Sequence, residues 1–329
     1  MINKIKNGIK GKRILVTGVN GFIGSYLSRR LLQEGAILHG LAMKGTSLAR
    51  IKELSRNITV HYGDLSDYKT VCSCVKKVKP QIIYHLAALR VVARDLKLVD
   101  SMIKTNIFGT LNMLKAVADE KIKLERFVNT GTCEEYGDGP APFKESQREV
   151  PVSPYSASKV SVTYFCQMFY KTNNLPIVTL RPFLTYGAGQ DLDLFIPSLI
   201  HSCLKGKDFF MTSGDQTREF NYIDDTVEGF LLAGSAPKAV GEIINIGNGR
   251  EYKIRDVAVK IVRMMGNPIK LHFNAMPKRP GEAAHFFCDN KKAKQILGWR
   301  PRVGLDQGLE KTIAWFRAHP DFYSGCLPK

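Results

Sequence analysis

Nothing in this 329-residue chain is apolar for long enough to cross a bilayer. The basic stretch at residues 1–13 lacks the apolar core of a signal peptide. Both absences point to a cytoplasmic protein with no membrane partner. Acidic residues are in deficit: 30 Asp and Glu stand against 48 Lys and Arg, a formal charge of +18. The surplus is spread along the chain, so it fits attraction of small anions better than a nucleic-acid partner. The seven cysteines (Cys72, Cys74, Cys133, Cys166, Cys203, Cys288, Cys326) make no disulfide framework. Cys72 and Cys74 have no second pair or histidine cluster to complete a metal site. No repeat or low-complexity tract is present. A hydrophobic content of 44% leaves room for one large domain with a smaller lobe.

The first half alternates two periodicities. Apolar strand-like runs fall at 13–17, 37–43, 58–62, 81–85, 126–130 and 176–181, with helical patterns at 22–33, 68–78, 96–119 and 155–170. Strands joined by helices predict an α/β fold, a Rossmann-type doubly wound parallel sheet whose strand C-termini share one ligand-binding edge. After Arg181 prolines, glycines and polar turns become frequent. The expected division is a dinucleotide-binding domain at 1–181 and a substrate lobe at 182–329. A segment near 241–247 is expected to return to the first sheet. Helical patterns recur at 254–265, 291–297 and 309–318.

Two motifs carry chemistry. Thr17-Gly18-Val19-Asn20-Gly21-Phe22-Ile23-Gly24 follows the apolar Ile14-Leu15-Val16 and opens a helix. Glycine lets the backbone approach a pyrophosphate, and the helix N-terminus favours the anion. This predicts a dinucleotide site at Gly18, Asn20, Gly21, Phe22, Ile23 and Gly24. No acidic residue ends the second strand to accept from the 2′-hydroxyl of NAD. Lys44, Ser47 and Arg50 lie there instead, which tilts the cofactor toward NADP(H). The alternative is that they are solvated loop residues and NAD binds through other contacts. Asp64, after the third strand, either accepts from the adenine amino group or caps the next segment.

The second motif is Tyr155-Ser156-Ala157-Ser158-Lys159. Four residues apart on a helix, Tyr155 and Lys159 face the same way. An ammonium lowers the pKa of a neighbouring phenol, so Tyr155 can exchange a proton with a sugar hydroxyl. Lys159 can also hold the nicotinamide ribose. The loop after the fifth strand supplies Thr132, a donor to the reacting oxygen, and Glu134, either a general base or a solvent-facing carboxylate.

These residues resemble the extended short-chain dehydrogenase/reductase family, in particular its NAD(P)-dependent nucleotide-sugar epimerases and dehydratases. The likeness runs through Thr17 to Gly24, His85-Leu86-Ala87-Ala88, Asn106-Ile107-Phe108-Gly109-Thr110, Tyr155 with Lys159, and Leu180-Arg181-Pro182-Phe183. It continues in Gly214 to Asp225, Lys278 to Glu282 and Lys291 to Trp299. The resemblance implies a triad of Thr132, Tyr155 and Lys159. It implies that Leu65, Leu86, Ala87, Ala88 and Asn106 join the cofactor site. Arg218 and Arg279 would bind a nucleotide diphosphate, with Arg90, Arg181 and Glu282 also on the substrate. It implies a homodimer formed by the long helix after Leu96 and the Tyr155 helix. Glu134 matches the base of 4,6-dehydratases, which favours that reaction on an NDP-hexose. Cys133, where relatives often carry Asp or Ser, is a weak proton donor or filler. Glu134-Glu135-Tyr136-Gly137 is also similar to 4-keto-hexose reductases. Leu184, where epimerases often carry Asn, weakens a plain epimerase. A sensor or scaffold that merely binds NADP is the non-enzymatic alternative.

Overall fold

In the computed structural model, residues 8–277 and 281–323 are described. The first strand, β1 (Arg13–Thr17), is apolar on both faces: Ile14 and Val16 pack into one core cluster and Leu15 into the other. A strand buried on both sides belongs inside a parallel sheet covered by helices. β2 (Ile37–Ala42), β3 (Ile58–Tyr62), β4 (Ile82–His85), β5 (Arg126–Thr130), β6 (Ile177–Pro182) and β7 (Ile243–Ile246) complete it. The order is β7-β6-β5-β4-β1-β2-β3, and every pairing is parallel. The chain runs outward from β1 through β2 to β3, then crosses back to β4. The C-terminal ends of β1 and β4 therefore flank the crevice where such sheets bind ligands.

Helices α1 (Phe22–Gln33), α2 (Tyr68–Val78) and α3 (Gly109–Asp119) follow β1, β3 and β4. Ahead of α3 the expected 96–119 helix is interrupted. A 3-10 turn at Leu96–Leu98 and an α turn at Val99–Met102 lead into a π-helix at Ile103–Phe108. Asn106 inside that widened turn explains it. Its amide pairs with both backbone groups of Leu89 and donates to the Ser158 hydroxyl at 2.9 Å. A π-bulge is a common means of turning one side chain inward at a site.

α4 (Pro154–Asn173) is fixed at its start by Ser153, whose hydroxyl accepts the Ser156 N–H, with Pro154 in the first turn. Asn174 ends it in the left-handed conformation. Two helices lie where the sequence pattern loosens, α5 (Phe195–Leu204) and α6 (Ile223–Ser235). From Val227 to Gly234 only Glu228 of α6 is not buried, so α6 has little polar face to mark a helical period. α7 (Ile254–Met264), α8 (Lys291–Leu297) and α9 (Leu305–Ala318) finish the chain. β7, from the second half, pairs with β6 from Ile243↔Thr179 to Ile246↔Pro182.

Candidate active site

The glycine turn is built for close approach. Gly18 has φ +67°, and a Cβ there would lie 2.9 Å from the Ala87 nitrogen. A Cβ on Gly24 would lie 2.1 Å from the Gly18 carbonyl oxygen. Gly21 caps α1 without a side-chain hydrogen bond, so the first-turn N–H groups face outward with no side-chain acceptor. This cradle, between Gly18 and Ala87 at the crevice, fits a dinucleotide pyrophosphate. Phe22, Ile23, Leu86, Ala87 and Ala88 are half-buried around it, while Leu65 is buried in the core below β3.

The polar residues expected around the adenosine are arranged differently. The Asn20 amide donates to the Thr46 hydroxyl and the Ser47 carbonyl, both at 3.0 Å, and so tethers the glycine turn to the β2 loop. Ser47 accepts from the Ala49 N–H, and Lys44 is exposed at the loop tip. Arg50 turns away: its Nε donates to the Gly189 carbonyl at 3.0 Å and its Nη2 pairs with Asp191. Asp64 is exposed and accepts the Ser66 N–H at 2.8 Å, the capping role. The cofactor contact expected of Asn106 gives way to bracing, because its amide is spent on Leu89 and Ser158 and is buried.

Thr132 ends β5 and begins the turn Cys133–Tyr136. Its hydroxyl accepts the Glu134 N–H at 3.2 Å, and its presence lowers the pKa of the Tyr155 phenol. Tyr155 and Lys159 are both buried. Burial pushes the phenol well above its ordinary pKa, while the Thr132 hydroxyl and the Arg90 charge pull it down. Burial likewise pushes the Lys159 ammonium down, and the opposing charge is Glu135. Lys159 lies one helical turn along α4 from Tyr155 and is buried with it. His85, between the Thr17 and Thr110 hydroxyls at 2.9 and 3.0 Å, is held neutral by burial, its pKa pushed down to about 3.

Glu134 is half-buried, and its charge raises both the Tyr155 phenol and the Cys133 thiol. Cys133 itself packs with Tyr136, Phe143, Phe183, Phe286 and Cys288. Burial raises its thiol well above the usual range, so it fills space as a small apolar group. Its assignment among the proton-moving residues is corrected accordingly.

Arg181 is the clearest correction. Expected on the substrate, it is fully buried between two carboxylates, with Nε donating to Glu135 at 2.9 Å and Nη2 to Glu149. Its guanidinium also lies 4.7 Å from the centre of the Tyr136 ring. Pairing of this kind is what keeps a buried charge tolerable. Glu135 escaped sequence reasoning, although Thr132-x-x-Glu135 is a capping-box spacing.

The remaining arginines form a rim. Arg90 pairs with Asp193 at 3.1 Å and Asp191 at 3.6 Å. Arg218 donates to Glu282 at 2.6 Å and to the Thr217 and Ala283 carbonyls, which brings two predicted substrate residues together. Arg279 and Cys326 lie outside the described residues. Among the described residues, no three His, Cys, Asp or Glu are grouped to hold a metal, and no helix is long and apolar enough to cross a membrane.

A phosphate cradle at the β1–β4 crevice and a buried Tyr-Lys helix beside it define an extended short-chain dehydrogenase/reductase, an NAD(P)-dependent enzyme of the nucleotide-sugar epimerase/dehydratase class. The model of the GDP-mannose 4,6 dehydratase family matches residues 15–312, and the chain belongs to that family. A dTDP-glucose 4,6-dehydratase of Shigella flexneri is 30% identical, over 94% of this chain and 94% of that one. A UDP-glucose 4-epimerase of Mycolicibacterium smegmatis is 31% identical, over 93% and 98%. The solved dTDP-glucose 4,6-dehydratase of Streptomyces venezuelae, which holds NAD, superposes with a TM-score of 0.85 at 27% identity, over 94% and 98%.

Proposed function

We propose that the protein oxidises C4 of an NDP-hexose and completes a 4,6-dehydration. The single observation that carries this reading is the place of Glu134, a half-buried carboxylate on the turn that starts at Thr132, with its N–H bonded to the Thr132 hydroxyl at 3.2 Å. Bound at the glycine turn, NAD(P) supplies a hydride acceptor that later becomes the donor. Tyr155 takes the C4 hydroxyl proton while Thr132 orients that oxygen. The C4 ketone acidifies C5–H, and Glu134 removes that proton. With Cys133 packed away, Glu134 also hands the proton to the departing C6 hydroxyl, which leaves as water. C5 is then reprotonated from solvent through Glu134 as C6 is reduced. Lys159 holds the nicotinamide ribose. Arg218, Glu282 and Arg90 take the diphosphate end, and Lys44 and Ser47 are the groups left for the 2′-phosphate of NADP(H).

The 31% identity to a UDP-glucose 4-epimerase keeps a second reading: the C4 ketone turns over and is reduced on its other face, and no water is lost. Mass spectrometry of products from dTDP-glucose, UDP-glucose and GDP-mannose separates the two. A product lighter by one water is the expected result. In Glu134→Gln, C5 solvent-deuterium exchange should fall at least about a hundredfold, and unchanged exchange would remove Glu134 from the reaction. A homodimer is also proposed. Exposed Ile103, Phe108, Tyr164 and Met168 support it, all on the helical segments expected to pair. A monomer in sedimentation velocity would contradict it.

A further inference from the structure

Glu135 lies directly behind the reacting groups. Its Oε1 accepts the Thr132 N–H at 2.8 Å. Its Oε2 accepts the Thr163 hydroxyl and the Arg181 Nε, both at 2.9 Å. Thr163 is one helical turn beyond Lys159, as Lys159 is one turn beyond Tyr155, so the three share a stripe along α4. One carboxylate thus ties the loop that presents Thr132 to the helix that presents Tyr155 and Lys159. The approach is close: a Cβ on Gly131 would lie 2.5 Å from Glu135 Oε1.

We propose that Glu135 is a positioning residue for the C4 oxidation, holding Thr132 in register with Tyr155 and supplying a buried counter-charge one helical turn from Lys159, where it bonds Thr163. This rests on the reading of Tyr155 and Lys159 given above. The charges around it are few. Lys159 is acted on by Glu135 from the loop and Cys166 from its own helix, and itself acts on His85 of β4. Glu135 is acted on by Arg181 of β6 and by Lys159. Glu149 reaches the same guanidinium from the far side. Tyr155 is acted on by Cys133, Glu134 and Arg90. Two carboxylates and two cations, Glu135, Glu149, Arg181 and Lys159, balance within this interior.

The sign of the effect is determined by which charge is removed. Desolvation lowers the Lys159 pKa and Glu135 opposes it. Neutralising Glu135 therefore makes Lys159 lose its proton at lower pH. In Glu135→Gln the high-pH limb of kcat, read as product formed from dTDP-glucose, UDP-glucose or GDP-mannose, should move down by about one pH unit. Glu135→Asp, which keeps the charge but shortens the reach, should leave the limb in place and lower kcat about tenfold or more. Glu149→Gln touches Arg181 without touching Thr132, and should leave the limb unmoved. A folded Glu135→Gln with the wild-type limb, an equal shift in Glu149→Gln, or an unchanged kcat in Glu135→Asp would each overturn the proposal. If no sugar is turned over by the wild type, the functional reading fails by itself. NMR titration of isotope-labelled lysine, with Lys159 assigned by its substitution, then decides the Glu135 proposal: the midpoint falls in Glu135→Gln or the proposal is wrong.

Discussion

Two glutamates, Glu135 and Glu219, are fully buried, and they are kept there by opposite means. Glu135, under the catalytic helix, meets the Arg181 guanidinium and two neutral donors. Glu219, in the second half of the chain, meets the backbone N–H groups of Cys288 and Gly249 and the Cys288 thiol. Burial raises both carboxyls, but Arg181 pulls Glu135 back, whereas Glu219, opposed only by its backbone N–H and thiol hydrogen bonds, is pushed up to about 8. Near neutral pH the first is an anion inside an ion network and the second holds its proton. A carboxylate can be buried either with its counter-charge or without its charge. Only the first kind presents a field to nearby groups.

Removing the counter-charge breaks this contrast most severely. Arg181→Met leaves the fully buried Glu135 and the half-buried Glu149 without their counter-charge, and should cost about 3–5 kcal/mol of unfolding free energy near pH 7. Without the cation both carboxyls take up protons more readily, so the loss should shrink as the pH is lowered toward about 5. Chemical denaturation at the two pH values tests this. A cost below about 1 kcal/mol, or one independent of pH, would mean the network is not electrostatic in origin.

Glu219→Gln sharpens the other side of the contrast with an effect of similar size and opposite sign. The folded carboxyl titrates near 8 and the unfolded one near its ordinary 4.5. Between those values the native state holds a proton that the unfolded chain has released. Its stability contribution is complete below about 4.5 and is lost as pH rises through about 8. Glutamine mimics the protonated form and does not titrate. The variant should match wild type near pH 4.5 and exceed it by up to about 5 kcal/mol near pH 9. Parallel stability–pH curves would show that Glu219 is not protonated in the native state.

The same contrast explains what was legible in the sequence. Strands β1 to β6 read directly, because each is a short apolar run between turn signals. The glycine turn and the Tyr155–Lys159 spacing also read directly, because their geometry is local to one helix. Arg181 was misread because its partners are 46 and 32 residues away in the chain, and only folding brings them to one point. Asn106 was misread for the same reason, its partners being Leu89 and Ser158. α6 was missed because nearly all of it is buried, so apolar periodicity has no polar phase to stand against. Long-range pairing of charges is what local pattern cannot report.

At the rim the comparison predicts the least for stability and more for binding. Arg218 pairs with a partly exposed Glu282, an ion pair of the kind worth about 0–1 kcal/mol. A ligand phosphate can compete for that guanidinium, because the released glutamate rehydrates in place. Arg181 has no such exchange open to it, since the guanidinium and Glu135 are both fully buried. Arg218→Ala should therefore lower unfolding free energy by no more than about 1 kcal/mol. It should raise the KM for the NDP-sugar about tenfold or more, with kcat within about twofold, because a charge-assisted phosphate contact is lost equally from ground and transition states. A fall in kcat at constant KM would move Arg218 out of binding and into the chemical step. A stability loss as large as that of Arg181→Met would place it with the buried network instead, and the division between sealed and exchangeable arginines would no longer hold.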